Sequence, residues 1–192
     1  MARKIETYKD GFPIKWFGGD PNETVCGAGS MVANMGPVIK WLSSVVKDGS
    51  VIELGCGDLN FAKNAVFENC YSYVGYDIQK RDSWDEAWIR ESPRISLYEA
   101  NILDLTNISA DIIIARDVFI HLTNEQTLSI LGNLKFELLV STTYFGANNK
   151  KRMNSPSAGF QALDLTTAPF NLNCELLIQE HAANKFLGVF TR

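Results

Sequence analysis

A glycine turn and a carboxylate are spaced in this chain as a nucleoside site would require. The apolar run 51–54 leads into Gly55-Cys56-Gly57, and a second apolar run, 73–76, leads into Asp77. If both runs are parallel strands, the turn and Asp77 meet at one edge of the sheet. Glycines let a ligand approach the backbone closely, and a carboxylate accepts hydrogen bonds from ribose hydroxyls. The spacing therefore predicts a nucleoside site at this edge.

Neighbouring side chains indicate which kind of nucleoside ligand would bind there. A dinucleotide-binding turn has a third glycine, because a helix N-terminus must come close to the first strand and hold a pyrophosphate. This chain has Asn60 at that position and Asp58 directly after the second glycine. The Asp58 carboxylate would repel a pyrophosphate. Together with Glu53 inside the first strand, it favours a ligand that carries positive charge.

With Glu53, Gly55 and Gly57, the sequence resembles the class I S-adenosylmethionine-dependent methyltransferases, whose first motif reads acid-x-Gly-x-Gly. The resemblance implies S-adenosyl-L-methionine as cofactor. Many members of the family have an acid that bonds the adenine amino group where this chain has Asn101; its amide either takes that role or belongs to a turn. The residues expected to contact the cofactor follow the first four strands: Glu53, Gly55, Cys56, Gly57, Asp77, Ile78, Asn101, Ile102, Asp117 and Val118.

Two candidate catalytic residues follow the fourth expected strand. The pattern Arg116-Asp117-x-x-x-His121-Leu122 resembles a bacterial and phage subset of the same family. If this segment is helical, Asp117 and His121 lie on one face. The resemblance places the loop beside the transferred methyl group, so that His121 is the candidate general base. Asp117 would bound the methionine end of the cofactor and serve as a reserve base. The alternative is a helix-capping aspartate and a structural histidine.

Alternating strands and helices must bring these residues together. The pattern predicts strands at 51–54, 71–76, 95–98, 111–115 and 136–142, and a closing pair at 175–179 and 186–190. The run 111–115 is apolar on both faces, as a central parallel strand should be. The expected class is α/β, with a doubly wound, seven-stranded, mostly parallel Rossmann-like sheet and a C-terminal antiparallel hairpin. The resemblance implies the same fold.

Helix start signals lie between the expected strands. Apolar spacing predicts a helix over 30–46 that Ser30 would cap, and a shorter helix over 61–67. Two capping boxes are predicted, at Ser83 with Glu86 and at Thr123 with Gln126.

The chain is expected to form one domain with two appended segments. Residues 1–26 mix charge, glycine, proline and aromatic residues without periodicity and are interpreted as an N-terminal arm. Residues 27–192 would be a single methyltransferase-like domain. Within it, the polar stretch 144–172 is too long for a plain connection and is expected to be a lid-like loop.

Composition narrows the classes of partner. The formal net charge of −4 makes nucleic acid an unlikely main partner, because binding of phosphates requires a basic surface. The four cysteines have no metal-site spacing with His121 or His181, so no metal is expected. No apolar run of membrane length or signal-peptide pattern occurs, and we expect a cytoplasmic protein with free thiols.

The resulting hypothesis is transfer of a methyl group to an oxygen or nitrogen of a small molecule or a sugar of a glycan. Two alternatives stay open. One is a methyltransferase that acts on RNA, DNA or protein. The other is a cofactor-binding partner module without transfer activity, in which His121 and Asp117 would point away from the pocket. A nicotinamide oxidoreductase is disfavoured by Asp58 and Asn60. The sequence leaves the methyl acceptor and the oligomeric state open.

Overall fold

The computed structural model describes residues 20, 22–151, 160–180 and 184–191. In chain order the strands are β1 (Ser50–Leu54), β2 (Ser72–Asp77), β3 (Ile95–Glu99), β4 (Ile108–Ser109), β5 (Ile112–Ala115), β6 (Leu134–Lys135), β7 (Leu138–Tyr144), β8 (Asn173–Gln179) and β9 (Lys185–Thr191). The α-helices are α1 (Val32–Val45), α2 (Asn60–Ala65), α3 (Ala87–Arg90) and α4 (Asn124–Asn133).

The main sheet has seven strands in the order β3-β2-β1-β5-β7-β9-β8. Its first five members are parallel, and β9 runs antiparallel to both β7 and β8. The strand order reverses between β1 and β5, so the carboxyl ends of these strands border a crevice. The predicted fold class is confirmed. The strands β4 and β6 form a separate short pair that was not predicted.

Helix α1 packs its apolar face against the sheet. Met35, Val38 and Leu42 are fully buried at the spacing expected of one helix face. The predicted cap at Ser30 is wrong, because α1 begins after Met31 and has no side-chain cap. Ser30 instead ends a preceding 3-10 turn.

One of the two predicted capping boxes forms. Thr123 and Gln126 exchange both hydrogen bonds at the start of α4, at 3.2 Å and 2.9 Å, which confirms that prediction. The box at Ser83 and Glu86 is wrong, because the Ser83 hydroxyl donates to the Asp58 carbonyl at 2.9 Å. The chain there forms a 3-10 turn and the four-residue helix α3.

The described parts of the polar stretch 144–172 are tied to the body of the domain. Leu163 and Leu165 are fully buried. The buried Asn149 amide donates to the carbonyls of Asp164 and Ala168, at 2.8 Å and 2.9 Å. Residues 152–159 and most of the predicted N-terminal arm lie outside the described residues, so a lid and an arm stay predictions. No helix within the described part of the chain is long and apolar enough to cross a membrane.

Candidate active site

A cavity of about 770 Å³ opens at the carboxyl ends of the parallel strands. All ten residues predicted to contact the cofactor line it, together with His121. They come from the ends of β1, β2, β3 and β5, which are adjacent in the sheet. The structure thus brings the whole predicted set to one crevice, at the place where open α/β sheets bind ligands.

The glycine turn and Asp77 are in direct contact. The Gly57 backbone N–H donates to Asp77 Oδ2 at 2.8 Å, and the Gln79 N–H donates to Oδ1 at 3.0 Å. Asp77 is buried, and burial raises its pKa while these amides oppose the rise. Each carboxylate oxygen can accept more than one hydrogen bond, so Asp77 keeps acceptor capacity toward the cavity.

Protein neighbours explain the two glycines. Gly55 and Gly57 have φ of +74° and +55°, in the left-handed region that favours glycine. A Cβ at Gly55 would collide with the Val118 side chain, and one at Gly57 with Cys26 Sγ. The absence of a Cβ therefore lets other groups come close to the turn backbone, as predicted. In this structure, those groups are the side chains of Val118 and Cys26.

Glu53 brings a buried acid to the cavity wall. Its Oε2 accepts a hydrogen bond from the Tyr73 hydroxyl at 2.6 Å. Burial raises the pKa of Glu53 from an ordinary 4.5 to about 8, against the opposing effects of the Tyr73 hydrogen bond and the Arg116 charge. A cation bound next to Glu53 would favour its ionised form.

A segment before α1, residues 24–30, crosses the start of α2 and is here called the strap. The Thr24 hydroxyl and the Val25 N–H both donate to Asp58 Oδ2, each at 2.7 Å. The Asn60 amide donates to the Ser30 carbonyl at 2.8 Å. The two residues that depart from the dinucleotide pattern are therefore the two that fasten the strap to α2.

Asn101 has the turn role considered for it, and its role toward adenine stays a prediction. Its Oδ1 accepts the Leu103 N–H at 3.0 Å, which caps the 3-10 turn that follows β3. The residue also lines the cavity, beside the apolar side chains of Ile78 and Ile102. These groups together suit a flat, partly polar ring.

The segment after β5 does not form the expected α-helix. Asp117 has φ of +55°, and only Phe119–His121 continue as a 3-10 turn. The prediction that Asp117 and His121 share an α-helical face is wrong, yet both side chains line the same cavity. Left-handed backbone at a non-glycine residue is costly and is concentrated at functional sites.

Four charged side chains, here called the charge cluster, meet at the Asp117 end of the cavity. Lys185 Nζ lies 2.8 Å from Asp117 Oδ2 and 2.6 Å from Glu180 Oε2. Arg116 Nε donates to Glu180 Oε1 at 2.8 Å, and Arg116 Nη1 lies 3.4 Å from Asp117 Oδ2. The Arg116 Nη2 group also donates to the Gly29 carbonyl in the strap, at 2.6 Å.

The charge cluster fixes the protonation of Asp117. Burial opposes ionisation, but the charges of Arg116 and Lys185 and a hydrogen bond from Thr142 outweigh it and lower the pKa of Asp117. An acid with a lowered pKa is a poor proton acceptor near neutral pH. This geometry therefore disfavours Asp117 as the reserve base.

Sequence reasoning placed Arg116 after the fourth strand without giving it a role, and it missed Glu180 and Lys185 as site residues. Glu180 and Lys185 flank the turn between β8 and β9 and are buried, although charged residues are rarely buried without a partner. In the sequence, only their positions next to the predicted hairpin strands could have indicated that they belong to the site. Tyr144 and Phe160 also line the cavity.

The described residues contain no group of three or more histidine, cysteine, aspartate or glutamate side chains placed to hold a metal ion. All four cysteines are free thiols.

Comparisons with known proteins identify the fold. No protein-family model matches the sequence, and a search of curated proteins finds no match. The chain is similar to the N-methyltransferase NodS from Bradyrhizobium japonicum WM9, solved with S-adenosyl-L-homocysteine: TM-score 0.61, 18% identity, 81% of this chain and 84% of that chain. It is also similar to the methyltransferase domain of bacterial CtHen1-CN: TM-score 0.58, 18% identity, 84% of this chain and 98% of that chain.

A third similar structure is the pyocyanin biosynthetic protein PhzM, with TM-score 0.61 and 14% identity over 84% of this chain and 56% of that chain. The chain thus has the fold of the class I S-adenosylmethionine-dependent methyltransferases, as the sequence motif indicated.

Proposed function

We propose that this protein is an S-adenosylmethionine-dependent methyltransferase that acts on an oxygen or nitrogen of a small molecule. The observation that carries the proposal is the contact between the Gly57 N–H and Asp77 inside a cavity large enough for a nucleoside and an acceptor. Ligand cavities typically measure about 300–1,000 Å³. NodS, whose fold is similar, was solved with S-adenosyl-L-homocysteine bound.

The residues present fit this cofactor. Asp77 offers carboxylate oxygens to ribose hydroxyls, and Ile78 and Ile102 offer apolar contact to adenine. Glu53 and Asp117 supply negative charge at the other end, where the cofactor carries an ammonium and a sulfonium group. Every one of these side chains lines the same cavity.

The strap argues against a dinucleotide. Asp58 Oδ1 accepts the Asn60 backbone N–H at 3.2 Å, at the start of α2. A carboxylate thus lies where a dinucleotide-binding helix would present free N–H groups to a pyrophosphate. The strap crosses the same helix start through Thr24 and Val25.

The protein's task in methyl transfer is mainly one of alignment. S-adenosylmethionine supplies an electrophilic methyl group on a positively charged sulfur. Asp77 and the glycine turn would hold the nucleoside, and the carboxylates of Glu53 and Asp117 would hold the cationic groups of the methionine end. Fixing two reactants in line can contribute about 7 kcal/mol or more to lowering the barrier.

For a hydroxyl acceptor, His121 is the proposed general base. It lies at the end of the 3-10 turn Phe119–His121 and lines the cavity. We assign Asp117 to positioning because its pKa is lowered. Both residues line the cavity, which supports an active enzyme over an inactive partner module. PhzM, of similar fold, is a pyocyanin biosynthetic protein, which supports a small-molecule acceptor.

Ligand-dependent melting tests the proposal. A ligand at one hundred times its Kd stabilises by about 2.7 kcal/mol, or roughly 5–10 °C in Tm for a chain of this length. We expect S-adenosylhomocysteine and S-adenosylmethionine to raise the Tm and NAD to leave it unchanged. Stabilisation by NAD alone would overturn the assignment.

Substitution of Asp77 tests whether the ligand that raises the Tm binds at the proposed nucleoside site. Hydrogen bonds to a charged group contribute about 1.5–3 kcal/mol each, so Asp77→Ala should weaken S-adenosylhomocysteine binding by roughly a hundredfold. Asp77→Asn keeps an oxygen for the Gly57 N–H and guards against loss of the turn itself. Asp104→Ala is the matched control, because Asp104 is exposed near the same sheet edge and does not line the cavity.

A further inference from the structure

One end of the cavity is left over when the nucleoside and methionine contacts are assigned. There, the ring contact between Tyr144 and Phe160 and the hydrogen bond from the Gln161 N–H to the Ile120 carbonyl join the end of β7 to the segment after β5. The side chains there that no cofactor contact uses are Ile120, His121, Leu122, Gln126, Tyr144 and Phe160.

Two aromatic rings form one wall of this end. The rings of Tyr144 and Phe160 meet edge to face, with centroids 5.2 Å apart and planes at 70°. Backbone hydrogen bonds fix both: the Tyr144 N–H donates to the Leu163 carbonyl at 2.7 Å, and the Gln161 N–H donates to the Ile120 carbonyl at 2.9 Å. Phe160 is nevertheless 53% exposed, which leaves part of this residue accessible to a ligand.

The charge cluster borders this end and has no net charge. Arg116 and Lys185 each contact both Asp117 and Glu180, and the four N···O distances are 2.6–3.4 Å. The cofactor would bring its own carboxylate to this region, so a carboxylate or phosphate on the acceptor would be a further anion beside two cations that already contact two carboxylates. Burying such an unpaired charge is strongly unfavourable. An uncharged acceptor avoids this cost.

The polar groups available to an acceptor are few. Burial and the charges of Asp117 and Glu180 raise the pKa of Tyr144, which keeps its hydroxyl protonated and able to donate. His121 and Gln126 are the other polar side chains among the six. A sugar ring carries several hydroxyls that each need a partner when buried, whereas a ring with one hydroxyl needs one or two.

We propose that the acceptor is an uncharged aromatic ring bearing a hydroxyl group, packed against Tyr144 and Phe160 with its hydroxyl toward His121. This inference rests on the proposed methyl transfer and deepens it. Edge-to-face and offset aromatic contacts are favourable beyond the area they bury.

A lone pair of the acceptor oxygen forms the new bond to the methyl carbon. The bond from that carbon to sulfur breaks, and sulfur keeps the electron pair. The hydroxyl proton passes to the imidazole of His121, and from there to solvent.

Fluorine NMR of the protein saturated with S-adenosylhomocysteine tests the inference. The probes are 4-fluorophenol, 4-fluorobenzoate and 2-deoxy-2-fluoroglucose, titrated into the millimolar range. We expect 4-fluorophenol to bind about tenfold more tightly than the other two. Equal or tighter binding of the acid or the sugar, or no binding of the phenol, would overturn the proposed acceptor class.

Two variants locate the bound probe. Phe160→Ala should weaken 4-fluorophenol binding about fivefold or more, since it removes one aromatic wall. Phe145→Ala is the matched control, because Phe145 is 57% exposed and does not line the cavity. Equal binding by wild type and Phe160→Ala would also overturn the inference.

Thermal melting with S-adenosylhomocysteine in the same samples distinguishes failure of the proposed function from failure of the proposed acceptor class. If the nucleoside does not bind, the proposed function itself is wrong. If it binds and the phenol does not, only the acceptor class is wrong.

Discussion

Replacement of Glu53 by glutamine should remove a pH dependence from cofactor binding. Burial raises the pKa of Glu53 to about 8, so the ligand-free protein carries this side chain mostly protonated at neutral pH. If the cofactor places positive charge beside Glu53, binding requires the ionised form and expels a proton. Below the pKa, the apparent affinity then falls about tenfold per pH unit. From pH 8 to pH 6 the Kd of the wild type should rise by roughly fiftyfold.

The same group should affect folding in the absence of ligand. The folded pKa of Glu53 lies above its ordinary value of 4.5, so ionisation is harder in the folded state. Its contribution to stability is therefore fully present below about pH 4.5 and is lost as pH rises to about 8. The loss is on the order of 5 kcal/mol over that window. Glu53→Gln should not show this loss.

Titration calorimetry with S-adenosylhomocysteine at pH 6, 7 and 8 measures the binding effect, and buffers of different ionisation enthalpy count the protons released. The amino group of the ligand titrates as well, so the informative quantity is the difference between wild type and Glu53→Gln. Urea unfolding of both proteins across the same pH range measures the folding effect. Parallel pH profiles for the two proteins, in binding and in unfolding, would refute the reasoning.

The remaining predictions concern catalysis and the charge cluster. His121→Ala should leave the affinity for S-adenosylhomocysteine within about twofold and lower turnover of a hydroxyl acceptor about a hundredfold or more, measured as initial rates; unchanged turnover would remove His121 from the mechanism. Lys185→Met should lower the free energy of unfolding by about 3–5 kcal/mol, because it leaves the buried Glu180 carboxylate and the partly buried Asp117 carboxylate with Arg116 alone. Lys63→Met, which breaks a more exposed ion pair, should cost under about 1 kcal/mol in the same urea titration, and equal losses would contradict the argument.

The nucleoside half of the site could be predicted because its signals are local. The glycine turn and Asp77 each end an apolar strand, and parallel pairing of β1 with β2 brings them together without information from the rest of the chain. The capping box at Thr123 is local in the same sense. The box at Ser83 had equal local support, and it failed because the Ser83 hydroxyl contacts a carbonyl 25 residues away in sequence.

The charge cluster could not be predicted, because its members come from distant parts of the chain. Arg116 and Glu180 are 64 residues apart in sequence, and Lys185 is 68 residues from Asp117. The residues of a buried ion pair follow no regular spacing in the sequence. Each of these charged residues, considered alone, is typical of a solvent-exposed surface. The left-handed backbone at Asp117, which ended the expected helix, likewise has no signal in an Arg-Asp dipeptide.

Arg116 joins segments that are synthesised far apart in time. It contacts Gly29 in the strap and Glu180 directly after β8, and Lys185 begins β9, which is the last of the seven main-sheet strands in chain order. Strand β9 inserts between β7 and β8, so neither the sheet nor the cluster is complete until that strand has left the ribosome. A nascent chain that ends before residue 185 would carry the glycine turn and Asp77 yet lack Lys185 and strand β9. If the proposed function holds, cofactor retention should therefore arise only after β9 has been synthesised.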